Sequence, residues 1–128
     1  MILGVIAIAL VVRFTGEGSR SGTFVGSSIQ SRNNAWIISL DIADGWIRRN
    51  ISLCDYGMAN FRISSINHYG GIIFTIRQGE VFRFIDISSE FDDYIDFSEF
   101  ESGAFRIGLQ FNGAREIETR ISWGTMVN

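Results

Sequence analysis

The residues of this chain that could do chemistry fall into two groups, one acidic and one aromatic and polar. Asp92, Asp93, Asp96 and Glu99 place four carboxylates on one short segment, a spacing that could offer oxygen ligands to a hard cation such as calcium. A solvated acidic loop is the competing reading. Trp46, Asp55, Tyr56, Asn60, Asn67, His68 and Tyr69 supply the aromatic faces and planar hydrogen-bonding groups that a shallow polyol site needs. Turns favour many of these residue types too, so the same set reads as turn chemistry. His68 is the sole histidine, and any Ser-His-Asp or Cys-His arrangement must use it. No G-x-S-x-G elbow accompanies it, so no catalytic residue is assigned and the chain is read as a non-enzyme.

Composition narrows the partners. The net charge is -3 and every cation is an arginine, without the dense basic stripe that phosphate backbones require. Nucleic acid is therefore not an expected partner. The 46% hydrophobic and 13% aromatic content excludes intrinsic disorder. A lone cysteine, Cys54, rules out an intrachain disulfide and a multi-cysteine zinc site, and is expected as a small core residue beside a strand end. Residues 1–12 form an apolar run shorter than the roughly 20 residues of a spanning helix. The run lacks the basic start of a signal peptide, and it is expected as a retained, buried strand, not a transmembrane one.

The elements that must position these side chains read as short strands. Trp36, Ile38, Leu40 and Ile42 alternate with more polar neighbours up to Asp44-Gly45, a hairpin signal, and Ile47 to Leu53 is expected as the returning strand. Ile72, Phe74 and Ile76 alternate likewise before Gln78-Gly79. Phe105, Ile107, Leu109 and Phe111 share one face, and Asn112-Gly113 is expected to turn the chain into Ile117, Thr119, Ile121 and Trp123. Residues 13–23 are polar and rich in Gly and Ser, and read as a linker. The expected fold is a single all-β domain over residues 1–128: an antiparallel two-sheet β-sandwich, jelly-roll-like, of about nine or ten strands. Trp36 and Trp123 lie in phase with core faces; Trp46, beside a turn signal, is the better sugar platform.

The segments T-F-V-G-S-S-I-Q, W-I-I-S-L, I-S-L-C-D, F-T-I-R-Q-G and F-R-I-G-L-Q-F-N-G resemble, in that order, laminin-G-like and concanavalin-A-like jelly-roll domains over about residues 23–123. The resemblance implies an extracellular, lectin-like binding module whose rim loops hold a glycan or protein ligand. Phe84 to Glu90 is similar to the carboxylate strand of laminarinase-like hydrolases, but Phe84 stands where the nucleophile would be. Tyr94 to Phe100 resembles the second half of an EF-hand loop with Glu99 at the bidentate calcium position, although Ser88 and Asp93 stand where the first Asp and the central Gly belong.

Carbohydrate binding is the leading expectation. One alternative is a filament, capsid or tail subunit, virion-associated, whose residues 1–12 pair with a neighbour and make a homo-oligomer. Another is an engineered β-sandwich with no natural ligand, to which the missing Lys and Pro would be unsurprising.

Overall fold

The computed structural model describes residues 13–15 and 19–124; the apolar run 1–12, with its expected strand and oligomer contact, lies outside the described residues. Among the described residues the order is β1 (Arg13–Thr15), β2 (Ser19–Arg32), β3 (Ala35–Leu53), α1 (Asp55–Ala59), β4 (Arg62–Ile66), β5 (Tyr69–Gln78), β6 (Val81–Asp86), β7 (Glu90–Tyr94) and β8 (Gly103–Ser122). The all-β expectation holds. The segment read as a linker does not stay outside the fold, because its residues from Ser19 onward begin β2 and pair with β3.

Two expected hairpins are instead kinks within long strands. Asp44-Gly45 lies inside the 19-residue β3 and Asn112-Gly113 inside the 20-residue β8. These strands run antiparallel along most of their lengths, and the register steps between Ala43↔Ala114 and Gly45↔Phe111, so Asn112 and Gly113 together oppose Asp44. This is a β-bulge. Gly113 takes a φ of 58° and its N–H donates to Asp44 Oδ1 at 3.1 Å. The left-handed backbone that Asn-Gly favours is thus present, and it serves a bulge where a turn was expected. Next to it, Gly45 faces Gly22 of β2, with φ of 132° and 125°. A Cβ on Gly45 would lie 2.1 Å from the Ser21 carbonyl oxygen, so only glycine allows this approach of two backbones.

These irregularities let β3 double back. Fourteen residues of straight strand would part Ala35 from Arg49 by about 46 Å. Yet Arg49 Nη1 donates to the Ala35 carbonyl at 2.8 Å. The strands, expected in two sheets, are one hydrogen-bonded sheet of eight. β8 is its spine: residues 106–112 pair with β5, residues 118–122 pair with β4, and β3 lies along the other side of both stretches. β6 extends the sheet beyond β5, β7 extends it beyond β4, and β1 joins β2 in parallel.

One core lies between the two arms of the bent sheet, with Ile47, Phe74, Ile107 and Leu109 from one arm and Trp36, Ile38, Ile63 and Ile121 from the other. Phe61 joins them: its ring stacks on Trp123 at 5.8 Å, and it meets Phe74 at 5.8 Å and Phe97 at 5.0 Å. Each such side chain contributes about 1.5–3 kcal/mol by leaving water.

The segment that resembled an EF-hand exit helix is an irregular loop. Ile95, Phe97 and Phe100 are buried, and the Phe97 and Phe100 rings pack on Phe105 at 5.6 and 5.5 Å. Cys54 is exposed, not a core residue: β3 ends at Leu53, and Cys54 caps α1, its Sγ accepting from the Gly57 N–H at 3.4 Å. No helix among the described residues is long and apolar enough to cross a membrane.

Candidate functional site

Strand alternation places every second side chain of the β3–β8–β5–β6 arm on its outer face. Cross-strand pairing then sets three rows. Trp46, Gln110, Ile73 and Asp86 form one; Arg48, Gly108, Thr75 and Phe84 the next; Asn50, Arg106, Arg77 and Phe82 the third. Between them runs a groove of about 250 Å³.

Each part of the groove follows from a residue choice. Gly108 is the floor: a Cβ there would come within 2.7 Å of Thr75 Oγ1 and 3.2 Å of the Ile47 carbonyl oxygen. One wall is Trp46 with the Arg48 guanidinium lying over its ring at 4.0 Å, a cation–π contact that holds both groups in place. The other wall is β6, an edge strand carrying Phe82 and Phe84 with ring centroids 4.5 Å apart, 43% and 66% exposed. Arg83, between them in sequence, points away and pairs with Glu99 at 3.1 Å, tying β6 to the loop after β7. Three strand spacings, about 14 Å, separate β3 from β6.

Polar groups line the same face. Arg77 Nε donates to the Gly79 carbonyl at 2.9 Å and Arg106 Nε to Asn50 Oδ1 at 3.2 Å. The lining holds Arg48, Arg77, Arg106 and Gln110 and no carboxylate. At the margin, hydrogen bonds from the Ser88 hydroxyl and backbone N–H hold the Asp86 carboxyl below its ordinary value.

The other outer face, on the β3–β8–β4–β7 arm, is a more open depression lined by Ile37, Ser64, Ile66, Asp92, Glu118 and Arg120, among others. Two of its carboxylates find partners. Arg62 Nη2 pairs with Asp92 Oδ1 at 2.7 Å, and that contact raises the guanidinium pKa further. Ser39 Oγ donates to Glu118 Oε2 at 2.5 Å.

Of the residues singled out in the sequence, only Trp46 lies in the groove, and it stands within a strand, not beside a turn. Asp55, Tyr56 and Asn60 belong to α1 and its C-terminal cap, where Asn60 Nδ2 donates to the Tyr56 carbonyl at 2.8 Å. Asn67, His68 and Tyr69 lie at the opposite end of β4, a strand of about 17 Å. The buried Asn67 clips two loops together: Oδ1 accepts from the Ser89 N–H at 2.8 Å and Nδ2 donates to the Tyr69 carbonyl at 2.7 Å. His68 and Tyr69 are exposed.

The four acidic residues do not converge. Asp92 holds Arg62, Asp93 accepts from the Tyr94 N–H, Asp96 accepts from the Ser98 N–H, and Glu99 holds Arg83. Among the described residues no three His, Cys, Asp or Glu side chains gather as a metal site.

The sequence reading missed Thr75, Arg77, Phe82, Phe84, Arg106, Gly108 and Gln110. The signal lay in the residues that alternate with the core positions. Phe82 and Phe84 could have been singled out as aromatic residues sharing one face of a short strand.

No family model matches the chain, and no curated protein matches it. Among solved structures it is similar to the carbohydrate-binding module TmCBM61 in complex with β-1,4-galactotriose (11% identity, TM-score 0.42), covering 80% of this chain and 66% of that one. It is similar also to PliG of Salmonella Typhimurium, a periplasmic inhibitor of g-type lysozyme (12% identity, TM-score 0.39), covering 88% and 98% of the two chains. A CBM4 structure matches at 12% identity and a TM-score of 0.34 over 73% and 74%.

Proposed function

We propose that this chain is a non-catalytic carbohydrate-binding module, a two-layer β-sandwich whose glycan lies in the groove across β3, β8, β5 and β6. The observation that carries this reading is the exposed Phe82–Phe84 wall facing arginine and amide donors across a glycine floor. The apolar C–H face of a pyranose stacks on an aromatic ring, and its hydroxyls accept hydrogen bonds from planar donors. Phe84 offers the open ring. Gln110, Arg77 and Arg106 offer the donors, and Gly108 leaves room for the sugar to reach the sheet.

A glycan array followed by calorimetry on the best hit tests this. Binding to the intact chain, weakened about tenfold or more in Phe84→Ala, is the expected result. An array without hits, or a hit untouched by Phe84→Ala, overturns it.

A further inference from the structure

We infer that the groove selects an acidic saccharide, a uronate carboxylate seating between Arg77 and Arg106; this rests on the carbohydrate-binding reading above. Arg77 and Arg106 are direct cross-strand partners on the same outer face. Like charges placed directly opposite each other destabilise a sheet. Two other arginines meet acids, Arg62 with Asp92 and Arg83 with Glu99. Here the two guanidiniums meet only neutral oxygens, the Gly79 carbonyl and the Asn50 amide, each through Nε. Both arginines line the groove, which Arg48 also borders.

The cationic character of the groove is local. The chain as a whole carries -3, yet the lining holds three arginines and no carboxylate. Neutral sugar hydroxyls would be served by asparagine or glutamine, without the repulsion. A carboxylate offsets that repulsion and accepts paired, charge-assisted hydrogen bonds from guanidinium. Geometry fits this: the Arg77–Arg106 row and the Phe84 row are neighbours on one face, about 7 Å apart. A sugar ring on Phe84 thus brings substituents toward the arginines.

The test is a panel of immobilised uronate-containing, sulfated and neutral oligosaccharides, with calorimetry on the best binder and on its carboxyl-reduced form. A uronate is expected to bind best, and carboxyl reduction, Arg77→Gln and Arg106→Gln each to weaken it by about tenfold. Added salt should weaken it as well. In the absence of ligand, each Gln variant should shift the melting temperature only slightly, because the repulsion it removes offsets the loss of one exposed hydrogen bond to a neutral oxygen. Equal binding of neutral and acidic forms, unaffected by the Gln variants but lost in Phe84→Ala, overturns the acidic preference and leaves the binding-module reading standing. A sulfated glycan bound in place of any uronate overturns the carboxylate assignment. No binding across the panel overturns both readings.

Discussion

The two outer faces of this bent sheet are built from the same two long strands, β3 and β8, yet they manage charge in opposite ways. On the β4–β7 arm, Arg62 is satisfied by Asp92, Glu118 by Ser39, and Tyr94 lies 5.8 Å from the Arg62 guanidinium. Those groups are satisfied within that surface. On the β5–β6 arm, Arg77 and Arg106 oppose one another without a carboxylate, and two phenylalanines stand open on an edge strand. A face that stabilises itself has little left for a ligand. The other leaves hydrogen-bonding capacity and aromatic surface outstanding, and these are the groups the proposed glycan site would use.

The contrast can be broken at its shared foundation first. Phe61→Ala removes a fully buried ring that contacts both arms, and should cost about 3–5 kcal/mol. Amide hydrogen exchange of β5 on one arm and of β4 on the other should then show the same loss of protection. Gly45→Ala attacks the bend itself, where the Ser21 carbonyl leaves no room for a methyl group. A loss of about 3 kcal/mol is expected in urea melts, again for both faces together.

Sharper tests touch one face at a time. Phe84→Ala should weaken glycan binding about tenfold while changing stability by less than about 0.5 kcal/mol, as measured by calorimetry and urea melts. Arg62→Ala should produce only a slight loss of stability and no change in affinity, since its partner Asp92 lies on the other arm. The smallest effect concerns Asp86. Its folded pKa is lowered, so its stabilising tie to Ser88 is complete above the unfolded carboxyl value and is lost as pH falls through the lower folded value. The Ser88 amide resonance should titrate with a midpoint below that of an unperturbed aspartate.

Much of the fold was legible as period two. Phe105 to Phe111, Ile72 to Ile76 and Trp36 to Leu40 supply buried positions where alternation puts them. Connectivity was not legible, because Asp44-Gly45 and Asn112-Gly113 carry the same backbone preference whether they turn a hairpin or bulge a strand. What decided between them was the long-range pairing of β3 with β8. The site was hidden for a related reason. Polar residues in turns drew attention to Asn67 and Asn60, which serve the loops themselves, whereas Arg106 lies three strands after Arg77 in sequence order and joins Arg77 and Phe84 only once β8 inserts between β3 and β5. Phe97 and Phe100, resembling part of a calcium loop, proved to be core rings whose acidic neighbours are simply solvated or paired.

The most direct test of the central claim is a nitrogen-15 NMR titration of the full chain with the tightest-binding oligosaccharide. Shifts are expected only at the Trp46 indole, the Gly108 and Gln110 amides and the Arg77 and Arg106 side chains, with Ser64, Asp92 and Glu118 unmoved. Shifts centred on the β4–β7 face, or on α1 and the Asn67–Tyr69 loop, would contradict it.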